Sequence, residues 1–362
     1  MYLVTNRSVR EDGRGLDMFG AVPSEKGPNE LRLVKVTRSG RGYRTELLDD
    51  VLPAAEVRRL QRLHGLDIDP TATWYASLAV ACEIAAQARK KKRHLLVYVH
   101  GYNNDLGDVL ETARALERLY NVIVIPFSWP ANGGGPVSGG AAYLTDKRDA
   151  RASADALNRF VEKIADYHDM LTANRRAELR RNAEAACPQN PQLARETFAE
   201  MMHRDCRVTL NLLCHSMGNY LLKYAVLPGG TATRRLTFDN VSLVAADCNN
   251  QGHADWVEQI PARNRLAIFI NEDDFALAWS RRKPGDAQLA RLGHQLKGLN
   301  AENAYYIDVT EAPWVRNSHS YFIDKAVAKP EGLREVFAAA FEGGKPEATL
   351  RYHADVNAYA PR

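Results

Sequence analysis

Between an apolar, strand-like run at residues 208–213 and a helical pattern at 220–227, the chain has six residues in which to turn, Cys214-His215-Ser216-Met217-Gly218-Asn219. Strand, one tight turn and helix is the setting of a nucleophile elbow, in which a serine hydroxyl is held out on a strained turn. Strand and helix cross closely at such a turn, so the positions two before and two after the serine must be small. Gly218 meets this demand, and Cys214 is small enough to stand where glycine is usual. A helix N-cap would use the same serine, so the reading of Ser216 depends on partners elsewhere in the chain.

Three such partners can be picked out. The apolar run 95–99 ends in His100-Gly101-Tyr102-Asn103-Asn104. An acyl-transfer site needs two backbone N–H groups aimed at the developing oxyanion. Met217, next after the serine, predicts one of them. Tyr102 predicts the other, with Gly101 beside it allowing the backbone to turn sharply. The competing reading of this stretch is an ordinary strand-ending turn.

A second apolar run, 265–270, is followed by Asn271-Glu272-Asp273-Asp274, and Asp274 opens a helical pattern at 275–279. A carboxylate at the end of a sheet strand can orient a histidine and stabilise its charged form. Asp274 is the first choice, although it could equally cap its helix. Asp273 beside it, and Asp247 after the run 241–246, are the alternatives. The third partner is a histidine beyond the run 304–309. His319 completes the order Ser, Asp, His, whereas His294 precedes that run and His353 lies near the C-terminus.

These pieces resemble the α/β-hydrolase superfamily, and in particular the bacterial α/β-hydrolases of unknown function. The resemblance rests on Thr5-Asn6-Arg7, the His100-Gly-Tyr-Asn-Asn104 loop, Phe127-Ser-Trp-Pro130, the elbow His215-Ser-Met-Gly-Asn219, Asp274-Phe-Ala-Leu277 and His319-Ser-Tyr-Phe322. It runs along most of the chain. It implies a serine hydrolase fold and carries Ser216, Asp274 and His319 over as a triad.

The rest of the chain fits an α/β class. From 94 to 342 short apolar runs alternate with helical patterns, which predicts a mostly parallel sheet with helices on both faces. Strand patterns at 2–5, 31–37 and 43–48 predict extra antiparallel strands on its edge, followed by helices up to residue 93. Residues 1–344 thus read as one domain, and 345–362 as a tail serving as a strap or partly disordered. Residues 166–205 are polar, helical in composition and broken by Pro188 and Pro191. They read as a helical insertion that either folds over the site as a lid or packs away from it. The glycine-rich stretch 133–140 predicts a flexible loop at the carboxyl ends of the strands, either shaping the substrate pocket or serving as a plain long loop.

Composition excludes several other classes. With 48 basic against 44 acidic residues the net charge is only +4, which does not point to nucleic acid. The basic run 89–93 suits the C-terminal end of the helix that precedes it. Five scattered cysteines do not form a disulfide framework. No Cys or His spacing matches a metal site, and no cofactor is expected. No segment is long and apolar enough for a membrane span and no signal peptide is evident, so a cytoplasmic location is expected. The function predicted is hydrolysis of a small-molecule or lipid-like ester through an acyl-enzyme, of esterase or lipase type. Acyltransferase, thioesterase or amidase chemistry, and a non-catalytic binding module on the same fold, are the alternatives.

Overall fold

In the computed structural model, which describes residues 1–10, 12–40, 42–131, 139–205, 208–227, 235–282, 289–329 and 332–361, the apolar runs become strands of one large sheet. The chain opens with β1 (Tyr2–Thr5), a separate hairpin of β2 (Arg7–Val9) and β3 (Phe19–Pro23), and the pair β4 (Arg32–Ser39) and β5 (Gly42–Leu47). Helices α1 (Ala54–His64) and α2 (Ala76–Lys91) lead to β6 (His94–Val99), α3 (Leu106–Leu119) and β7 (Val122–Ser128). Three helices, α4 (Gly139–Ala152), α5 (Ala154–Ala186) and α6 (Pro191–Asp205), precede β8 (Leu210–His215) and α7 (Met217–Val226). Next come β9 (Asn240–Val244), α8 (Ala254–Val257), β10 (Arg265–Ile270), α9 (Phe275–Ser280) and β11 (Ala304–Asp308). The chain closes with α10 (Lys325–Ala328), α11 (Leu333–Phe341), β12 (Arg351–His353) and β13 (Ala358–Ala360).

The sheet has eleven strands in the order β12-β13-β11-β10-β9-β8-β6-β7-β1-β4-β5. Its centre is parallel: β7, β6, β8, β9, β10 and β11 pair in register as neighbours. Strands of this kind are covered on both faces and read as continuous apolar runs, and every residue of β8 is buried. Alternate side chains feed two cores. Val97, Val99, Leu212 and Cys214 lie in one, with Leu157 of α5 and Leu221 of α7. Leu96, Tyr98 and Leu213 lie in the other, with Val109 of α3 and Phe337 of α11.

From β6 the chain moves to β7 on one side and then returns to β8 on the other. The carboxyl ends of β6 and β8 therefore diverge into a crevice, the usual binding position in an open α/β sheet. The His100–Asn104 loop and Ser216 both emerge there.

Two expectations for the ends of the chain are corrected. The N-terminal strands do not form a purely antiparallel edge: β1 pairs parallel with β7 on one side and antiparallel with β4 on the other, and β5 continues antiparallel to β4. The C-terminal segment is neither strap nor disordered. β12 and β13 pair antiparallel, and β13 joins β11 through Ile307 and Tyr359. The buried Ala358 fixes β13 against the core, and alternating aromatics there let Tyr359 lie against Tyr305 and Tyr352.

Residues 166–205 form a helical hairpin. Their first part continues α5 without a break, and residues 187–190 turn the chain into α6. Tyr167 bonds Ser77 of α2 at 2.7 Å, and the Asn174 amide donates to the Gly65 carbonyl. Arg235 pairs with Asp166 and Asp169. The hairpin is thus held against the N-terminal helices. Of the predicted glycine-rich loop, residues 132–138 lie outside the described residues. Among the described residues, no helix is long and apolar enough to cross a membrane.

Candidate functional site

β8 delivers the chain into Ser216, whose backbone adopts φ 53° and ψ −121°. A non-glycine residue at positive φ costs of order 1–3 kcal/mol and persists only where its surroundings impose it. Here the constraints are visible. The Ser216 N–H donates to the Val244 carbonyl at 3.0 Å. The buried Asn219 amide donates to three carbonyls, those of Cys214, Ser216 and Val244, at 3.1, 3.1 and 3.2 Å. Its side chain therefore staples together both sides of the turn. Ser216 makes no capping bond to α7, so the simple N-cap reading fails. Gly218 explains the need for small residues: a Cβ there would fall 2.6 Å from the Val99 carbonyl oxygen and 2.7 Å from that of His100. Cys214 is fully buried within the core.

The loop after β6 presses on the elbow. A Cβ on Gly101 would lie 2.7 Å from Ser216 Cβ. This corrects the reason for glycine at 101. The positive φ in this loop belongs to Asn103, at 58°, and Gly101 is needed because its backbone approaches the serine too closely for a side chain.

His100 is buried and stacked on Trp129, with ring centroids 5.0 Å apart and planes 1° from parallel. The Trp129 N–H donates to His100 Nε2 at 3.1 Å. That leaves Nδ1 as the protonated nitrogen, donating to the Gly101 carbonyl at 2.9 Å. Burial, and then the charge of Arg7, push the His100 pKa down to about 3, so the ring is neutral. In a trans peptide C=O and N–H point opposite ways. By pinning the Gly101 carbonyl, His100 thereby fixes the direction of the Tyr102 N–H.

Arg7 holds the same loop from below. Its guanidinium is 2 % exposed and donates to Ser128 Oγ and to the carbonyls of Gly20, Ala131 and Asn104. Burial lowers its pKa to about 10.

Asp274 and His319 come together across two loops. His319 Nδ1 donates to Asp274 Oδ2 at 2.7 Å, and the other carboxylate oxygen accepts the Leu277 N–H at 3.0 Å. The two sequence readings of Asp274, helix cap and histidine partner, are both satisfied, one by each oxygen. Asp274 is fully buried, whereas the His319 side chain stays 23 % exposed, facing the cleft. Burial pulls the His319 pKa down, but the charge and hydrogen bond of Asp274 outweigh it, so the net value lies above the usual 6.5. Asn271 holds the loop that carries His319 by donating to the carbonyls of Arg316 and Ser318 at 2.9 and 3.0 Å. The His215 ring packs 4.7 Å from that of His319, and its Nε2 donates to the His319 carbonyl at 3.0 Å. Burial, then the charge of His319, holds the His215 pKa well below 6.5.

Ser216 and His319 line one cleft of about 120 Å³, together with Gly101, Tyr102 and Phe322. Among the described residues, none of 166–205 borders it. Neither His294 nor His353 borders it either.

The alternative acids are placed elsewhere. Asp273 is exposed. Asp247 is buried in an ion pair with Arg291 at 3.0 Å and accepts from Tyr143 at 3.0 Å and from Ser280. Its backbone N–H donates to the Ser216 carbonyl at 3.2 Å, so it supports the elbow from behind. Among the described residues no group of histidines, cysteines and carboxylates could hold a metal ion.

Sequence reasoning assigned no role to Asn219, Asn271 or Arg7. Each makes several bonds to backbone carbonyls, and such bonds leave no spacing signal. The cue available for the two asparagines was an amide side chain at the end of a buried strand or just inside a helix, where it has to find partners.

A family described as "Alpha/beta hydrolase of unknown function (DUF900)" matches residues 78–172 and 184–316. Ser216 and Asp274 fall inside that match, and His319 lies three residues beyond it. No curated protein and no solved structure gives a match.

Proposed function

The chain belongs to this family of α/β-hydrolases, and from that membership we propose that it is a serine hydrolase acting on small carboxylic esters. The observation that carries the proposal is the 2.7 Å bond between His319 Nδ1 and Asp274 Oδ2, with the His319 ring bordering the cleft that holds Ser216. A buried carboxylate on Nδ1 leaves Nε2 as the nitrogen that exchanges a proton with a nucleophile.

The Ser216 hydroxyl attacks the ester carbonyl and passes its proton to His319 Nε2. Asp274 holds the ring in the required tautomer and stabilises the imidazolium. The carbonyl oxygen takes up the negative charge, facing the N–H groups of Met217 and Tyr102. Collapse expels the alcohol, protonated by His319. Water, deprotonated by the same histidine, then releases the acid and restores Ser216.

The cleft volume supports a small acyl group. A cavity of about 150 Å³ accommodates benzene, and this cleft measures about 120 Å³. The test is transient-state hydrolysis of p-nitrophenyl acetate. A burst of nitrophenol, with an acetyl adduct on Ser216 in the quenched protein, is expected. A folded Ser216→Ala variant that hydrolyses the ester at the wild-type rate would overturn the assignment.

A further inference from the structure

A second and much larger cavity lies at the other ends of the strands, where β6 and β8 begin. It encloses about 1390 Å³ and shares no lining residue with the cleft at Ser216. Ligand sites commonly span about 300–1,000 Å³, so this is an unusually large space to leave beside the centre of a sheet.

Its floor is one face of five adjacent strands, as the strand register establishes. Val4 of β1 pairs with Leu33 of β4 and with Phe127 of β7, two residues beyond Ile125. Ile125 pairs with Val97 of β6, two residues beyond Leu95, and Leu95 pairs with Leu210 of β8. Directly paired residues share a face and side chains alternate along a strand. Leu33, Val4, Ile125, Leu95 and Leu210 therefore form one apolar row. Strands lie about 4.8 Å apart, so the row is about 19 Å wide, the reach of a long acyl chain. All but Leu210 remain half-buried, although they sit on interior strands of the sheet.

The cause lies in the helices over the row. α5 contributes Phe160 and Ile164 and α2 contributes Val80 and Ile84, but two further α2 residues facing the cavity, Ala81 and Ala85, are too short to fill the space between them.

The rim carries charges of both signs. Near β4, Arg32 is neutralised by Glu30 and Asp50. Near the start of β6, Arg89 and Lys92 line the cavity together with Arg181 of α5. Among the described residues none of these three cations has a carboxylate within ion-pair distance.

We propose that this cavity is a non-catalytic site for an amphiphile with one long acyl chain and an anionic head group. The chain would lie along the row from Leu33 to Leu210, with the head group against Arg89, Lys92 and Arg181. Free fatty acids and single-chain phospholipids share this chemistry.

The test is equilibrium binding of cis-parinaric acid to the full-length protein, followed by competition. Palmitate and palmitoyl lysophosphatidate, the two head-group types, should displace the probe. Hexadecanol, with the chain but no charge, and octanoate, with the charge but a short chain, should each compete at least about tenfold more weakly. An Ala81→Phe, Ala85→Phe double variant should lose about tenfold or more in probe affinity. Arg89→Gln, Lys92→Gln and Arg181→Gln together should weaken palmitate but not hexadecanol, and these exposed substitutions spare the fold. Ser216→Ala should bind the probe like wild type, which separates this site from the proposed hydrolase. Failure of the wild-type protein to bind the probe, or binding unchanged in both the filled and the charge-neutral variants, would overturn the proposal. So would displacement by hexadecanol as strong as by palmitate.

Discussion

The imidazole of His319 and the carboxylate of Asp274 meet at 2.7 Å, joining loops that follow two neighbouring strands. The same carboxylate caps α9 through its other oxygen. One buried group thus sets both the start of a helix and the charge of a histidine.

This double role gives a pH signature for Asp274→Asn. In the wild type the His319 pKa lies above 6.5 because Asp274 outweighs burial. A histidine acting as base must be neutral, so kcat/KM should fall as pH drops through that raised value. In the variant burial is opposed only by the weaker influence of the Asp247 charge. The acid limb should move to lower pH, while kcat falls by about 10⁴ because the tautomer is no longer fixed. A pH–rate profile whose acid limb stays in place would show that Asp274 does not control His319.

Asp247→Asn should behave differently. It breaks the buried pair with Arg291, which is expected to cost about 3–5 kcal/mol of stability. In the protein that remains folded the acid limb should move to lower pH by less than in Asp274→Asn, because the charge of Asp247 is the weakest of the influences that raise the His319 pKa. Urea unfolding alongside the pH profile distinguishes the two carboxylates, and a limb shift for Asp247→Asn as large as that for Asp274→Asn would return it to the role of triad acid.

His100→Ala should remove the bond that pins the Gly101 peptide. If that peptide aims the Tyr102 N–H at the oxyanion, kcat should drop on the scale of losing one oxyanion donor, about 10²–10³, with KM little changed. A KM effect alone would assign His100 to packing.

The two glycines near Ser216 should separate stability from activity. In Gly218→Ala the new methyl meets the backbone oxygens of Val99, at the end of β6, and His100 just after it, so the strand and α7 must part. The expected cost is at the upper end of overpacking, about 3 kcal/mol, read as a lowered unfolding midpoint. In Gly101→Ala the methyl meets Ser216 itself. Activity should be lost there at a smaller cost in stability.

Much of this arrangement was legible in the sequence because it lies where strands end. The elbow, the loop after β6 and the residues Asp274 and His319 each follow an apolar run, and their order along the chain selected them. The acid was not settled by order, since Asp247 also follows a strand. Only the fold shows that Asp247 is taken by Arg291, Tyr143 and Ser280, residues distant in sequence. The placement of the α5–α6 hairpin was left open for a related reason. Its polar composition reports that much of its surface meets water, and says nothing of which edge of the sheet it covers. The C-terminal strands were missed because three-residue strands such as Arg351–His353 and Ala358–Ala360 are too short to show a period. The large cavity has no sequence signature either, since Ala81 and Ala85 suit any helix and only the register of five strands reveals the uncovered row.

The most direct test of the central claim is labelling with a fluorophosphonate, which reacts with an activated serine. The wild-type protein should be labelled at a single site, identified by peptide mass as Ser216. A folded Ser216→Ala variant should not be labelled, and Asp274→Asn should label far more slowly. Absence of labelling in the wild type, or labelling that survives Ser216→Ala, would contradict the assignment of Ser216 as an activated nucleophile.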